Sequence, residues 1–276
     1  MSRSFDMERR VAALVQAMPP IDEDLELLLR QASSGEADRA AVRELIAGDP
    51  GLCSNLLLLA NATCIEGASD TVPIQTIDEA LDRVGIQPLA ELVGTSYAFR
   101  TVRSELKNPR QWDEYIQHSR DIARSCSALS AVAGTSGSAR GMSDVAGLTH
   151  DIGRLVIMMA ANDTTASLLR TDPESMLTVV GTETAAYGMD HCHIGQELFR
   201  KWGLSPLMQN GILRHHSPLL HDDFSPSGAV IFVAHFVTMS DFTGSIIAKM
   251  LPGELLARMG LTASDLDQAR RLATEG

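Results

Sequence analysis

Apolar residues recur three and four positions apart along almost all of this 276-residue chain. Alternating apolar and polar runs, the mark of a half-buried strand, are scarce. The first pattern lines up apolar side chains on one face of a 3.6-residue helix, and a sheet would need the second. An all-α fold follows. Composition points the same way: aromatics are 4%, while Ala, Leu and Met are plentiful, and unbranched side chains lose little rotamer freedom in a helix. Hydrophobic residues at 45% and charged residues at 21% allow a sizeable core and exclude disorder as the default. No repeat persists at solenoid spacings.

Helix punctuation is frequent. Val11, Leu14 and Val15 mark a first helix that Pro19-Pro20 must end. A second carries Leu25, Leu28 and Leu29 and stops near Gly35; a third carries Val42, Leu45 and Ile46 and closes at Gly48. Asp49-Pro50 reads as an N-cap followed by proline at the first helical position, opening a fourth helix through Leu52, Leu56, Leu57 and Ala60. Glu66 to Pro73 reads as a loop, and Thr76 to Val84 as a short helix closed by Gly85. Pro88 to about Arg103 and a long helix opening at Pro109 follow, the latter running into a flexible loop at Gly134–Ser138. Further helices are expected over Met142–His150, Arg154–Ala161, Pro173–Tyr187, Asp190–Trp202, Pro206–His216, Pro226–Phe242 and Ala263–Ala273, with a loop over Leu219–Ser225.

The net charge of −12, from 23 basic and 35 acidic residues, repels nucleic-acid phosphates and acidic membrane surfaces. Arg9-Arg10 and Arg270-Arg271 are isolated pairs, better read as solvated faces than as a basic patch. Cys53, Cys64, Cys126 and Cys192 have neither metal-knuckle nor redox-pair spacing and read as reduced, mostly buried thiols. The N-terminus lacks the apolar segment of a signal peptide, and the longest apolar runs, Leu155–Ala161 and Ala229–Val237, are too short to span a bilayer. A soluble, cytoplasmic protein without nucleic-acid or membrane partners is expected. The amphipathic first helix offers a surface on which a second copy could pack as a homo-oligomer.

All eight histidines lie at or after position 118, so the two halves of the chain are chemically unlike. His150-Asp151 is the most specific pair: at a turn, imidazole and carboxylate can converge on one cation such as Zn, Fe, Mn or Ni, and Gly153 permits a bend. His118 lies one turn from Tyr115 and Ile122 on the long helix; taken alone it reads as a core histidine bonded to a carbonyl. His191 shares a face with Ile194, Gly195 and Leu198 behind Asp190, a plausible N-cap, whereas His193 points elsewhere and reads as exposed. Of His215-His216, His216 has both Ile212 and Leu213 on its face and is the better candidate. His235 sits in an all-apolar stretch, and a buried imidazole that stays neutral is what a metal requires.

At these residues the chain resembles the HD-related output domain (HDOD) family of bacterial signalling proteins, within the HD metal-dependent phosphohydrolase superfamily. The resemblance runs from about Met18 to His235. It is carried in the N-terminal half by Met18-Pro19-Pro20, Asp49-Pro50, Leu56–Asn61 and Ile77–Leu81 with Val84-Gly85. In the C-terminal half it is carried by Trp112 with His118-Ser119, Leu148–Leu155, Glu183, Tyr187–His191, Ile194-Gly195, Trp202–Leu204 and Arg214–Pro218.

The resemblance implies a helical N-terminal lobe, residues 1–105, packed on an HD-like helical lobe, residues 106–276. It implies a divalent transition metal, one or two ions, on His118, His150, Asp151, His191, His216 and His235. His118, His150, Asp151 and His235 would hold one ion, with His191 and His216 helping a second. The superfamily's late Asp, which normally follows an Ala, is replaced: Ala234 is followed by His235. A ligand remains there, but an anionic oxygen that could bridge metals or take a proton is gone, which weighs against hydrolysis more than against metal binding. Two functions follow. One is a signalling output module acting through a protein partner or a bound ligand. The other is a phosphohydrolase acting on a nucleotide or other phosphoester, with Asp151 as its catalytic carboxylate and Lys201 and Arg214 as the nearest phosphate-binding cations.

Overall fold

The computed structural model describes residues 2–18, 23–48, 52, 56–57, 74, 76–105, 109–135, 137–161, 173–220, 223–239 and 241–275. Among these the helices are α1 (Ser2–Ala17), α2 (Glu23–Ser34), α3 (Arg39–Ala47), α4 (Ile77–Val84), α5 (Ile86–Glu105), α6 (Pro109–Val132), α7 (Gly137–Thr149) and α8 (Ile152–Ala161). They continue with α9 (Pro173–Tyr187), α10 (His191–Lys201), α11 (Pro206–Arg214), α12 (Pro226–Val237), α13 (Gly244–Met250), α14 (Gly253–Met259) and α15 (Ala263–Glu275). The fold is all-α with two helical lobes, and the histidine cluster lies in the second.

Several boundaries differ from the sequence expectation. The loop expected at Gly134–Ser138 is shorter, because α7 begins at Gly137 rather than Met142. The helix expected to run to Phe242 ends at Val237, and two short helices, α13 and α14, follow it. Within the segment expected to be a loop, Leu219–Leu220 (β1) pairs antiparallel with Asp223–Phe224 (β2), a two-residue ladder too small to alter the fold class. Most of the helix expected after Asp49-Pro50, and the loop from Glu66 to Pro73, lie outside the described residues; Leu52 and Leu56 are helical and buried.

Local chemistry sets the helix starts. Thr76 and Glu79 form a reciprocal capping box on α4, each side chain bonding the other's backbone N–H. Ser205 and Ser225 cap α11 and α12, each with proline in the first turn. In the first lobe α2 and α3 pack on α5, and α4 bridges α3 and α5. In the second, α6 packs against α7, α12 and α15, while α10 lies against α8 and α11. The two longest apolar runs are interior: in α12 every residue from Ile231 to Val237 is buried, and in α8 every residue from Ile152 to Met158. No helix among the described residues is long and apolar enough to cross a membrane. The apolar face of α1 is covered within the chain. It lies on α8, α9 and α10 with Val11 buried, and Lys201 donates to the carbonyls of Val15 and Gln16 at 3.2 and 2.7 Å.

Glu91 ties α5 to the helix that carries His215 and His216. Its carboxylate is buried and accepts from the Ser205 backbone N–H at 3.1 Å (Oε1) and 3.4 Å (Oε2). Burial pushes its pKa up to about 7, against the lowering effect of the Ser205 hydrogen bonds. The folded value lies above that of an unfolded glutamate. The stabilisation from holding the proton is therefore full below about pH 4.3 and is lost as pH rises through 7, a swing of up to about 3 kcal/mol. Glu91→Gln keeps the acceptor and removes the charge. It is expected to raise Tm at pH 8 clearly more than at pH 5 in thermal denaturation; equal shifts at both pH values would refute a buried titrating carboxyl.

Candidate metal centre

The turn His150-Asp151 joins α7 to α8 and is the hub of the cluster. Gly153 contributes differently from the expectation. It is helical, and its backbone is not in the left-handed region. Its bare Cα instead permits a close crossing of α8 and α10: a Cβ there would overlap the carbonyl oxygen of His191 and come within 2.9 Å of the Gly195 nitrogen. Gly195 serves the neighbouring crossing of α10 and α11, since a Cβ on it would meet Ile212 Cγ2 at 2.7 Å. The contact at Gly153 brings the first turn of α10, with His191, against the start of α8, with Asp151, and that at Gly195 brings α11 alongside.

Six imidazoles from five segments meet around Asp151. On one side, Asp151 Oδ2 lies 3.4 Å from His118 Nε2 (α6) and 3.3 Å from His150 Nε2. His235 (α12) completes that side, its ring centroid 4.8 Å from His150 and 5.4 Å from His118. On the other side, Asp151 Oδ1 lies 3.3 Å from His191 Nε2 and 3.6 Å from His215 Nε2. His216 stands with its ring 4.9 Å from His191 and 4.4 Å from His215. All the histidines expected at the site are thus brought together. His215, ranked behind His216 from sequence, is wholly buried and closer to Asp151. His193 stays outside, its side chain 58% exposed and bonded to Asp190, which caps α10. His221 lies outside the described residues.

The hydrogen bonds on the far side of each ring decide its tautomer. Nδ1 of His150, His215, His216 and His235 each contacts a backbone carbonyl, of Gly147, Ile212, Met176 and Ile231 respectively, at 2.6–3.0 Å. A carbonyl only accepts, so each Nδ1 carries the proton and each Nε2 presents a lone pair. Nδ1 of His191 faces Glu183 Oε2 at 2.5 Å, and the same oxygen accepts the His191 backbone N–H at 2.9 Å. A ring held through its second nitrogen by a carboxylate or carbonyl is the arrangement that orients metal-binding histidines. His191 Nε2 and His215 Nε2 lie 3.1 Å apart, and the His215 nitrogen, with its ring proton on Nδ1, is the acceptor of that pair. Among the described residues, Nε2 of His150, His216 and His235 and both oxygens of Asp151 are buried without a hydrogen-bond partner. Buried acceptors converging on each other are unstable unless a cation sits between them. The donor set fits a divalent ion, and the His, Asp and Cys groups here could coordinate one.

Electrostatics supports this. Burial pushes four of the imidazoles toward the neutral form: His150 is lowered, His215 is lowered to about 4, with the neighbouring His191 and His150 adding to the effect, and His216 and His235 lie well below their usual range. Burial alone would raise Asp151, but Arg154, His150 and His118 outweigh it and keep the carboxylate ionised. Arg154 Nε lies 3.1 Å from Asp151 Oδ1 in a wholly interior ion pair. The sequence has no obvious basic clamp for a phosphate, and its nearest candidates, Lys201 and Arg214, are used elsewhere: Lys201 holds the end of α1, and Arg214 bonds the Ser217 carbonyl and Asp223. Glu183, Arg154 and Cys192 join the site without having been singled out as site residues. Glu183 and Arg154 stand in the family-like stretches, but the chemistry of each depends on a neighbour supplied by packing.

A titration of stability follows. A histidine depressed in the fold is neutral while its unfolded counterpart, near 6.5, takes a proton. Its contribution is present above about pH 6.5 and is lost as pH falls toward 4, on the order of 3 kcal/mol for His215 alone. The metal-free protein is therefore expected to lose stability steeply between pH 6.5 and 4 in chemical denaturation. A flat profile over that interval would exclude neutral buried imidazoles.

A profile of the HDOD domain family matches residues 18–218, well over half of the chain. An uncharacterized protein of Treponema pallidum (strain Nichols) is 22% identical over 259 residues, which cover 90% of this chain and 47% of that protein. The chain thus spans about half the length of this relative. Among solved structures, one named "Putative metal-dependent phosphohydrolase", from Shewanella amazonensis SB2B, is similar with a TM-score of 0.62 and 18% identity, covering 99% of both chains. Another, named "Putative signal transduction protein", from Marinobacter aquaeolei VT8, is similar with a TM-score of 0.65 and 14% identity, covering 99% of this chain and 64% of that one. At such identities the two structures establish a shared fold. Together with the family profile, the two helical lobes and the His/Asp hub between α7 and α8, they place this chain in the HDOD domain family.

Proposed function

We propose that the chain is a regulatory output module that acts by binding, with a closed, metal-holding HD-like pocket as the organising centre of its second lobe. The observation that supports this most is the closure of the pocket. His150, Asp151, His191 and His215 have no exposed surface and His235 is 2% exposed, while His118, at 13% of its side chain, and His216 at the other end are partly buried. Metal sites that stabilise a fold are closed, whereas catalytic ones keep a position open for water or substrate. Two further features agree. His235 stands where the superfamily carries its late Asp, so that position offers an imidazole in place of an anionic oxygen. Lys201 and Arg214, the nearest candidates for gripping a phosphate, are used in structural contacts. The name of the Marinobacter relative supports a signalling protein as partner, and the charge of −12 disfavours nucleic acid and anionic membrane. The division at residues 105 and 106 belongs to the same reading, with α1 reaching across to α8, α9 and α10.

In this reading His118, His150 and His235 with Asp151 Oδ2 would hold one ion, and His191, His215 and His216 with Asp151 Oδ1 would hold another. Glu183 fixes the His191 ring, and Arg154 keeps Asp151 ionised and oriented. A second reading, a metal-dependent phosphohydrolase, draws on that two-sided arrangement and on the name of the Shewanella relative. Paired ions, when bound, would supply an activated water and polarise a phosphoester, and Asp151 would be the carboxylate between them.

Elemental analysis of purified protein, with turnover of bis(p-nitrophenyl) phosphate in added Mn²⁺, separates the two. The expected outcome is about one or two transition-metal ions per chain, no turnover, and loss of metal in His150→Ala with helicity by circular dichroism retained. Turnover that disappears in His150→Ala would instead establish the hydrolase. Metal-free protein that cannot be reloaded would remove the metal from both readings.

A further inference from the structure

Cys192 is the second residue of α10 and is 2% exposed. Its backbone N–H is taken by Asp190 Oδ1 at 2.9 Å, which fixes the first helical turn and leaves the side chain directed inward. Its Sγ lies 3.5 Å from His191 Nε2 and 3.8 Å from His215 Nδ1, the ring nitrogen that also bonds the Ile212 carbonyl. One donor atom from each of His191, Cys192, His215 and His216 falls within 4.8 Å of the others. Asp151 Oδ1, which pairs with Arg154 Nε at 3.1 Å and has no exposed surface, faces the same point, 3.3 Å from His191 Nε2.

We propose that Cys192 is a sulfur ligand of the ion held on the His191 side, and that it makes this subsite selective for Zn²⁺ over Mn²⁺ and Mg²⁺. The inference rests on the metal-binding reading above and specifies one half of the pocket. Its basis is the spacing. Zinc bonds run about 2.0–2.1 Å to imidazole nitrogen and about 2.3 Å to thiolate sulfur. The edges of a tetrahedron with such bonds are about 3.4 Å between two nitrogens and about 3.6 Å between nitrogen and sulfur. The separations found are 3.1 Å for His191 to His215, 3.5 Å for His191 to Cys192, and 3.3 and 3.6 Å from Asp151 Oδ1 to the two imidazoles.

Softness provides the selectivity. A thiolate prefers zinc and other borderline or soft ions, whereas magnesium and manganese prefer oxygen. The opposite side of Asp151 offers only imidazole and carboxylate, so the two subsites differ in the metals they favour. On coordination the thiol proton leaves to solvent and the sulfur binds as thiolate; no oxidant or reductant takes part.

Cobalt(II) provides the test, because thiolate ligation gives a near-ultraviolet charge-transfer band that nitrogen and oxygen ligands do not. Full-length protein stripped of metal and loaded with Co²⁺ is expected to show this band together with visible ligand-field bands. Cys192→Ser is expected to keep the visible bands, lose the near-ultraviolet band, and bind Zn²⁺ about 10-fold or more weakly with a smaller change for Mn²⁺. Visible bands without the charge-transfer band in the unsubstituted protein would overturn sulfur ligation while leaving the metal pocket intact. Failure to bind Co²⁺ or Zn²⁺ at all would overturn both. Should the variant not fold, X-ray absorption of the zinc-loaded parent decides: a sulfur scatterer near about 2.3 Å supports the assignment, and its absence refutes it.

Discussion

The buried anion of Asp151 is the charge around which the second lobe is arranged. A carboxylate with no exposed surface is costly in a protein interior unless opposite charge and hydrogen-bond donors surround it. Arg154 provides one cation beside Asp151. Burial pushes the imidazoles of His150, His215, His216 and His235 toward the neutral form, so these four present lone pairs rather than positive charge. Lone pairs converging on one buried carboxylate are a setting that a divalent ion completes, and its binding would stabilise the folded lobe.

The architecture serves this centre through close crossings. α8 and α10 approach at Gly153 and Gly195, α11 brings His215 and His216 at its end, and α12 delivers His235 from the middle of an apolar helix. Five of the six rings are then fixed by a carbonyl of their own or a neighbouring helix, or by Glu183, so most of the geometry is set before any ion arrives. This preorganisation suits a centre that holds a shape. Catalysis would require the same residues plus an opening, and the partly buried His118 and His216 mark where one would have to form.

Much of this was legible in the chain itself. The three-and-four spacing required helices, and capping and breaking residues located most of their ends: Thr76 with Glu79, Asp190, Ser205-Pro206, Ser225-Pro226. Errors fell where packing outweighs local preference. α7 begins early at Gly137-Ser138, which read as loop residues, and α12 stops at Val237, where its apolar run ends, short of the expected end at Phe242.

The sequence by itself determined the helical class, the segregation of all histidines to one half, and the His150-Asp151 turn, because these depend on residue type and short spacing alone. Only the tertiary structure decided that six imidazoles from distant segments share one carboxylate, that His215 approaches it more closely than sequence suggested, and that Glu183, Arg154 and Cys192 belong beside them. The reason is physical: a helix periodicity says which face of a residue is buried, whereas the partner waiting on the other side is set by how separate helices cross, and here by two glycines that let them cross closely.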